Sequence, residues 1–278
     1  MFSKMHNYQG YKYRVSNGYA PTTTSGTAVT SSSTANQYGS WTEVLDTLDA
    51  SSLWVHLNIH NTFASGTARN SYFDIGYGQS SSSVVAVAEK LAVCNTAPIV
   101  GSTWMFPLYI PAGEKVFVKH QCSVSSITGY VQIGLIGGGM QGYDSIKVQR
   151  IEPIGYTSGS TTGTSITIAT GAQGSWTQLS SSTPRRYIGL MSSQLLTTST
   201  SRSQYSVNTI HIGVGNGSST QCVGYSAMRE YVVEVDERLC SMHIPVFTIV
   251  PVSSYLYAAA QGISADSNMS VILYGMRG

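Results

Sequence analysis

The sequence predicts an all-β protein built of two tandem β-sandwich domains of jelly-roll type, related by internal duplication. Three observations carry this reading. Short motifs recur in the same order in both halves, apolar residues alternate with polar ones, and Ser, Thr and Gly stand where charge would be usual. Only 10% of the 278 residues are charged, against roughly 25% in an ordinary soluble domain. Hydroxyl side chains compete with a helical backbone for its hydrogen bonds and favour turns and solvent-facing strand positions. The exchange therefore predicts many short strands joined by polar loops, with helices almost absent. The 18 Tyr, 4 Trp and 6 Phe supply enough bulk to fill cores, which argues against a disordered chain.

The duplication is legible motif by motif. Gly18-Tyr19 returns as Gly155-Tyr156, and Gly26-Thr27-Ala28-Val29-Thr30 as Gly163-Thr164-Ser165-Ile166-Thr167, both 137 positions on (155 minus 18, 163 minus 26). Arg14-Val15 returns as Arg150-Ile151, and Gly39-Ser40-Trp41-Thr42-Glu43 as Gly174-Ser175-Trp176-Thr177-Gln178. Asp74-Ile75-Gly76-Tyr77-Gly78 matches His211-Ile212-Gly213-Val214-Gly215, and Pro111 with Gln121 match Pro251 with Gln261. A spacing that drifts by so little confines insertions to loops and keeps the strands in register. On this pattern residues 1–13 are an N-terminal arm and 14–139 the first sandwich module. Residues 140–149 are a linker, after Gly137-Gly138-Gly139, and 150–278 the second sandwich module.

Inside each copy the period is two, the signature of a strand with one face in a core. Leu53, Val55, Leu57 and Ile59 alternate with Trp54, His56, Asn58 and His60. Val116 and Val118 alternate with Lys115, Phe117 and Lys119, and Val131, Ile133 and Leu135 form another row. The second copy has Ile210, Ile212 and Val214, then Val233 and Val235 against Glu234 and Asp236, then Val271 and Leu273. About eight such runs per copy suit a jelly roll, with an immunoglobulin-like sandwich as the alternative. Gly76-Tyr77-Gly78 and Gly213-Val214-Gly215-Asn216-Gly217 read as hairpin turns, because no Lys-Ser or Lys-Thr follows to make a phosphate loop.

Several function classes find no support. The formal charge of +2 comes without any run of Lys and Arg, so nucleic acid is not expected as a partner. Met1 to Arg14 has no apolar stretch of a secretory signal, and no apolar run approaches the roughly 18 residues of a membrane span. The chain is expected to be made in the cytoplasm, without membrane contact. Cys94, Cys122, Cys222 and Cys240 stand singly and read as small buried hydrophobes, with one disulfide per half left open. No cofactor motif or metal-ligand spacing is present. No Gly-x-Ser-x-Gly elbow marks a nucleophile. The acids Glu43, Asp46, Asp49, Asp74, Glu89 and Glu114 are candidates for a glycosidase pair, but Glu43 becomes Gln178 and Asp74 becomes His211 in the second copy. The chain is therefore read as a non-enzyme. Asn216-Gly217-Ser218 and Asn268-Met269-Ser270 are chance matches to a glycosylation pattern.

Two features point to partner contact instead. Trp54, His56 and His60 share one strand face; four strand residues span roughly 13 Å, too far for the two imidazoles to hold one ion, so an exposed interface is the better reading. Tyr8, Tyr11 and Tyr13 interleave with Lys4, His6, Lys12 and Arg14 ahead of the first module. That arm is either frayed or ordered on a neighbouring subunit, where Tyr gives large contact area at low entropic cost.

Gly39-Ser40-Trp41-Thr42-Glu43-Val44-Leu45, Asp74 to Gly78, Ile110-Pro111-Ala112-Gly113 and the strands ending at Gln121 and Ile136 together resemble modules of tailed-bacteriophage virion proteins. The resemblance covers most of residues 14–139 and, less faithfully, 150–278. In the second copy Ile110-Pro111-Ala112-Gly113 has become Val250-Pro251-Val252-Ser253, which keeps the proline and loses the glycine. It implies β-sandwich building blocks of the virion, assembled in the host cytoplasm, that decorate heads or form fibres, commonly as trimers or other symmetric homo-oligomers. The function it implies is that of a capsid decoration or cement protein, whose partners are the major capsid protein or other virion proteins. The alternative is a tail-fibre or receptor-binding protein that recognises host surface glycans.

Overall fold

The structure, a computed structural model, describes residues 6–8, 11–15, 26–61, 69–95, 101–137, 147–195, 206–216, 219–230, 241–262 and 268–278. Among these there is no helix. The strands of the first half are β1 (His6–Tyr8), β2 (Tyr11–Val15), β3 (Thr27–Thr30), β4 (Thr42–Leu45), β5 (Ser52–Asn61), β6 (Arg69–Gly78), β7 (Val85–Asn95), β8 (Gly101–Ile110), β9 (Lys115–Cys122) and β10 (Thr128–Gly137). The second half supplies β11 (Arg150–Ile154), β12 (Thr164–Ile166), β13 (Ile168–Thr170), β14 (Thr177–Ser180), β15 (Gly189–Leu195), β16 (Ser206–Gly215), β17 (Thr220–Glu230), β18 (Ser241–His243), β19 (Tyr255–Gly262) and β20 (Met269–Arg277).

In the first half, β3, β10, β5 and β8 lie side by side in one sheet and β4-β9-β6-β7 in another. The second half repeats both orders. There β12-β20-β15 continues through the bridges Leu190↔Val246 and Tyr187↔Val250 to a segment around 246–250, while β14-β19-β16-β17 forms the other sheet. These are the two four-stranded orders of a jelly roll, so the duplication seen in the motifs is a duplication of topology. Even the turn geometry repeats: Asn36 (φ 60°) and Gly171 (φ 72°) both take left-handed backbone, and their amides donate to Cys122 O (2.8 Å) and Gly262 O (3.1 Å).

The halves are not separate beads. β7 pairs in parallel with β11 through Ile151↔Ala88, which fuses β4-β9-β6-β7 and β11-β20-β12 into one eight-stranded sheet, with β15 on β20. β18 crosses the other way and pairs in parallel with β8, completing a seven-stranded sheet of β1-β2-β10-β5-β8-β18 with β3. The larger core accordingly takes Phe73, Ile75, Trp104 and Val118 from the first half together with Ile151, Met191, Ile272, Tyr274 and Met276 from the second. A second core lies between β20 and the five-stranded sheet, with Leu190, Ile210, Ile212, Leu256, Val271 and Leu273. β20 is thus covered on both faces, and its Met-Ser-Val-Ile-Leu-Tyr-Gly-Met run is almost continuously apolar for that reason.

Several sequence expectations shift. Gly76 to Gly78 and Gly213 to Gly215 are strand residues of β6 and β16, not turns. A Cβ at Gly213 would lie 2.6 Å from Thr220 Cγ2 and 2.8 Å from the Trp176 ring, and one at Gly76 would lie 2.4 Å from Val84 Cγ1, 2.8 Å from Val85 O and 3.2 Å from the Trp41 ring. Phe117, expected on a solvent face, is buried. Pairing matches Tyr13 with Ile136 and Ile151 with Met276, so Ile151 corresponds structurally to Tyr13 and not to Val15. Val233 and Val235 fall outside the described residues, as do residues 140–146.

Candidate functional site

The outer face of the seven-stranded sheet brings the predicted contact positions together. Pairing across four strands sets Tyr13, Ile136, Trp54 and Pro107 in one row, and Val15, Gly134, His56 and Met105 in the next. His60 is in register with Tyr130 and Gly101, and Tyr8 with Tyr11 at the β1-β2 margin. The side chains of Tyr8, Tyr11, Tyr13 and His60 lie outside the described part. The backbone at 11–15 is hydrogen-bonded into the sheet of its own chain through β10. Val55, Leu57 and Ile59 point into the core, so the alternating partners Trp54, His56 and Asn58 must face outward.

What these side chains meet is apolar and aromatic. The half-buried Trp54 ring meets Phe247 edge to face, with centroids 6.4 Å apart. Met105, Phe247, Ile244 and Ile249 are 43%, 53%, 55% and 62% exposed, a strip of uncovered apolar surface beside the sheet. Asn58 accepts a hydrogen bond from Thr103 Oγ1 (2.8 Å), which fixes an amide among the rings. The Ile244 to Ile249 strip was not foreseen; Ile244, Phe247 and Ile249 are spaced by three and then two residues, so no single strand period marks them as one exposed row.

A second cluster, also unforeseen, sits on the opposite side of the eight-stranded sheet. Asp74 is buried and accepts from the Tyr38 hydroxyl (2.6 Å) and the Lys90 amide (2.7 Å), with Lys119 Nζ at 3.2 Å. Burial pushes its carboxyl above the usual range, against the pull of those donors. Lys90, at φ 54°, places Nζ about equally over the Tyr38, Tyr72 and Tyr156 rings (5.2, 5.1 and 4.9 Å), and burial lowers its ammonium. The Tyr72 hydroxyl donates to Thr162 O (2.8 Å) and Gln121 Nε2 to Thr161 Oγ1 (3.2 Å). Every one of these contacts to Tyr156, Thr161 and Thr162 ties the second half to the first, so the cluster is a clamp between halves.

The candidate acids are spoken for. Glu89 pairs with Arg150, Glu43 and Asp46 share Lys115 (3.1 and 3.4 Å), and Glu114 accepts from Gln79 Nε2 (3.1 Å). Among the described residues no group of three His, Cys, Asp or Glu side chains could hold a metal ion. Cys122 is a buried free thiol, whereas Cys222 is exposed on β17, contrary to the expectation of a buried hydrophobe. Since both are free, neither half closes a disulfide through them; the side chains of Cys94 and Cys240 lie outside the described part. A shallow groove of about 520 Å³ is lined by hydroxyls of Thr30, Ser31, Ser32, Ser40 and Thr42 with Tyr38.

No family model matches the sequence, and no curated protein matches it. Among solved structures the chain is similar to PNGF-II, at 6% identity and TM-score 0.41, covering 96% of this chain and 65% of that one. It is similar also to a peptide-N(4)-(N-acetyl-beta-D-glucosaminyl) asparagine amidase, at 9% identity and TM-score 0.36, covering 90% of this chain and 96% of that one. A third is the CUB1-EGF-CUB2 segment of human MASP-1/3, at 10% identity and TM-score 0.19, covering 90% and 99%.

Proposed function

We propose that this chain is a non-enzymatic structural protein of a tailed-phage virion, a decoration or cement protein that docks on the assembled shell. The observation that supports this reading is the outer face of the seven-stranded sheet, where Trp54, Met105 and Phe247 form an aromatic and aliphatic centre among amides and hydroxyls. Such a centre is what anchors a protein contact, while a neutral polar rim admits bridging water. Two jelly rolls that share a sheet and a core make a stiff block, so docking orders little and wastes little of the contact energy. A ligand that binds only the assembled shell stabilises that state by mass action. Particles lacking the protein should lose resistance to heat and osmotic shock and regain it on adding the purified chain, but not on adding Trp54→Glu. Particles equally resistant with and without the chain would refute the role.

The hydroxyl-lined groove beside Tyr38 favours the second reading, a tail-fibre or receptor-binding protein that grips host glycans. A glycan array with the isolated chain, together with copy number per particle, separates the two: hundreds of copies belong to a head, a handful to a tail.

A further inference from the structure

Asp74 on β6 and Lys119 on β9 are direct partners in register, between the pairs Phe73↔His120 and Ile75↔Val118. The Phe73 and His120 rings stack at 4.3 Å on the core side of the same ladder, so the Asp74 and Lys119 side chains are held together on its outer face. Lys119 Nζ stands 3.2 Å from Asp74 Oδ2, and the Asp74 side chain is only 5% exposed. The other carboxyl oxygen, Oδ1, accepts twice, from the Tyr38 hydroxyl (2.6 Å) and the Lys90 amide (2.7 Å). An amine at one oxygen and two fixed donors at the other is the arrangement that acyl transfer to nitrogen requires, with the donors where negative charge develops.

The Lys90 amide reaches Oδ1 because β7 carries an extra residue at that point. Phe73 pairs with Leu91 and Ile75 with Ala88, so Asp74 faces both Glu89 and Lys90. Lys90 takes left-handed backbone at φ 54° there, and the Tyr274 hydroxyl holds this strained residue by donating to its carbonyl (2.8 Å). In the second half Ile210, His211 and Ile212 pair with Ser226, Tyr225 and Gly224 without an insertion. His211 stands in place of Asp74, and its register partner is Ala259 in place of Lys119. Gln173 stands in place of Tyr38 (173 minus 38 is 135, as 174 minus 39 for the matching glycines). The same strand pair therefore forms without the acid, the amine, the phenol or the bulge, and the jelly roll does not account for them.

We propose that Asp74 and Lys119 condense in the folded chain to an intramolecular amide that crosslinks β6 to β9. The Nζ–Cγ bond forms and the Cγ–Oδ2 bond breaks. Two of the three ammonium protons of Lys119 leave with Oδ2 as water, and the third stays on the amide nitrogen. At the tetrahedral stage Oδ1 carries the charge, where the Tyr38 hydroxyl and the Lys90 amide already point. Burial raises the Asp74 carboxyl and so favours the neutral acid from which water departs. The Tyr38 and Trp41 rings lie against Nζ at 4.3 and 4.6 Å and screen the reacting atoms from solvent. Lys90 Nζ is directed instead to the Tyr38, Tyr72 and Tyr156 rings, which leaves Lys119 as the amine at the carboxyl. The product holds no charge pair, which removes the cost of keeping two ions away from water. The closed ring spans 45 positions (119 minus 74) and contains β7 and β8, the two strands on which β11 and β18 of the second half pair. The bond lies within one chain and stands or falls apart from any role in a virion.

The test is the intact mass of the folded, purified chain, measured under denaturing and reducing conditions and followed by tryptic mapping. The wild-type mass should lie one water below that of the sequence. Trypsin does not cut after an acylated lysine, so the map should contain a branched peptide joining Asp74 to Lys119. Asp74→Ala and Lys119→Arg should each show their full sequence mass; Lys119→Arg keeps the ion pair, and circular dichroism like that of wild type shows that it is folded. Tyr38→Phe, which removes one donor from Oδ1, should slow the condensation by about a hundredfold or more, read as unlinked chain in freshly folded material. A folded wild-type chain at full sequence mass overturns the proposal. A missing water that persists in Lys119→Arg also overturns it, because that water would have been lost elsewhere.

Discussion

Tyr274→Phe probes the junction between halves with the smallest change available. The Tyr274 hydroxyl accepts from the Ala92 amide (2.9 Å) and donates to the Lys90 carbonyl (2.8 Å), so one oxygen on β20 ties down two backbone groups of β7. The ring is 0% exposed, and phenylalanine preserves its packing against Trp104 while deleting only the oxygen. Two backbone groups then sit buried without a partner, at about 1–3 kcal/mol each. Allowing for some relaxation, the loss is about 2–4 kcal/mol, and at roughly 2–4 °C per kcal/mol for a chain of this size the melting temperature falls by roughly 5–15 °C. Urea unfolding followed by tryptophan fluorescence and circular dichroism reads this directly, because Trp41, Trp54 and Trp104 report on the first half and Trp176 on the second. A change below about 0.5 kcal/mol, the scale of a neutral surface substitution, would refute the reasoning. So would a wild-type curve that separates into one transition per half, since a shared core requires the halves to unfold together.

Stability should fall as pH drops from about 6.5 to about 4. Burial holds His120 and His243 neutral, pushing both down to about 4, so the unfolded chain binds more protons in that window and each costs about 3 kcal/mol by its lower end. In His120→Gln the slope of urea midpoint against pH should shrink, and an unaltered slope would contradict the assignment. Gly213→Ala should destabilise by about 1–3 kcal/mol, because the new methyl lies 2.8 Å from the Trp176 ring. Gly113→Ala, with open space around it and φ +85°, should cost only about 1 kcal/mol of backbone strain, and thermal melts that rank the two in reverse would count against the packing described. In peptide-resolved alkylation Cys222 should react in the native protein and Cys122 only after unfolding; native labelling of Cys122 would contradict its burial.

Period-two alternation was enough to assign the faces of β5 and β10, since Val55, Leu57, Ile59, Val131, Ile133 and Leu135 have only one core to enter. It was insufficient for β20. There Ile272 and Tyr274 are buried by the first half while Val271 and Leu273 are buried by the five-stranded sheet, and a run apolar on both faces hides which residue goes where. The glycines of β6 and β16 stand at the ends of strands beside their hairpin partners, where Val84, Ser83, Thr220 and Ser219 leave no room for a Cβ, and Gly76 and Gly213 are also covered by Trp41 and Trp176; the spacing marked the hairpins but not that these glycines lie in the strands. Trp54 and His56 could be grouped from sequence because they share a strand. Met105 joins them through the pairing of β5 with β8 and Phe247 through that of β18 with β8, both long-range events. The Asp74 clamp combines residues from 38 to 162, and its one sequence trace is that Asp74 becomes His211 in the second half.

Oxidative footprinting of the chain on intact particles and in isolation, read at Trp54, Met105 and Phe247, tests the contact face most directly. Strong protection of these three on the particle, with Val85 on the far sheet still reactive, is the expected result. Equal modification in both samples would show that the outer face of the seven-stranded sheet meets nothing, and the proposed role would fall with it.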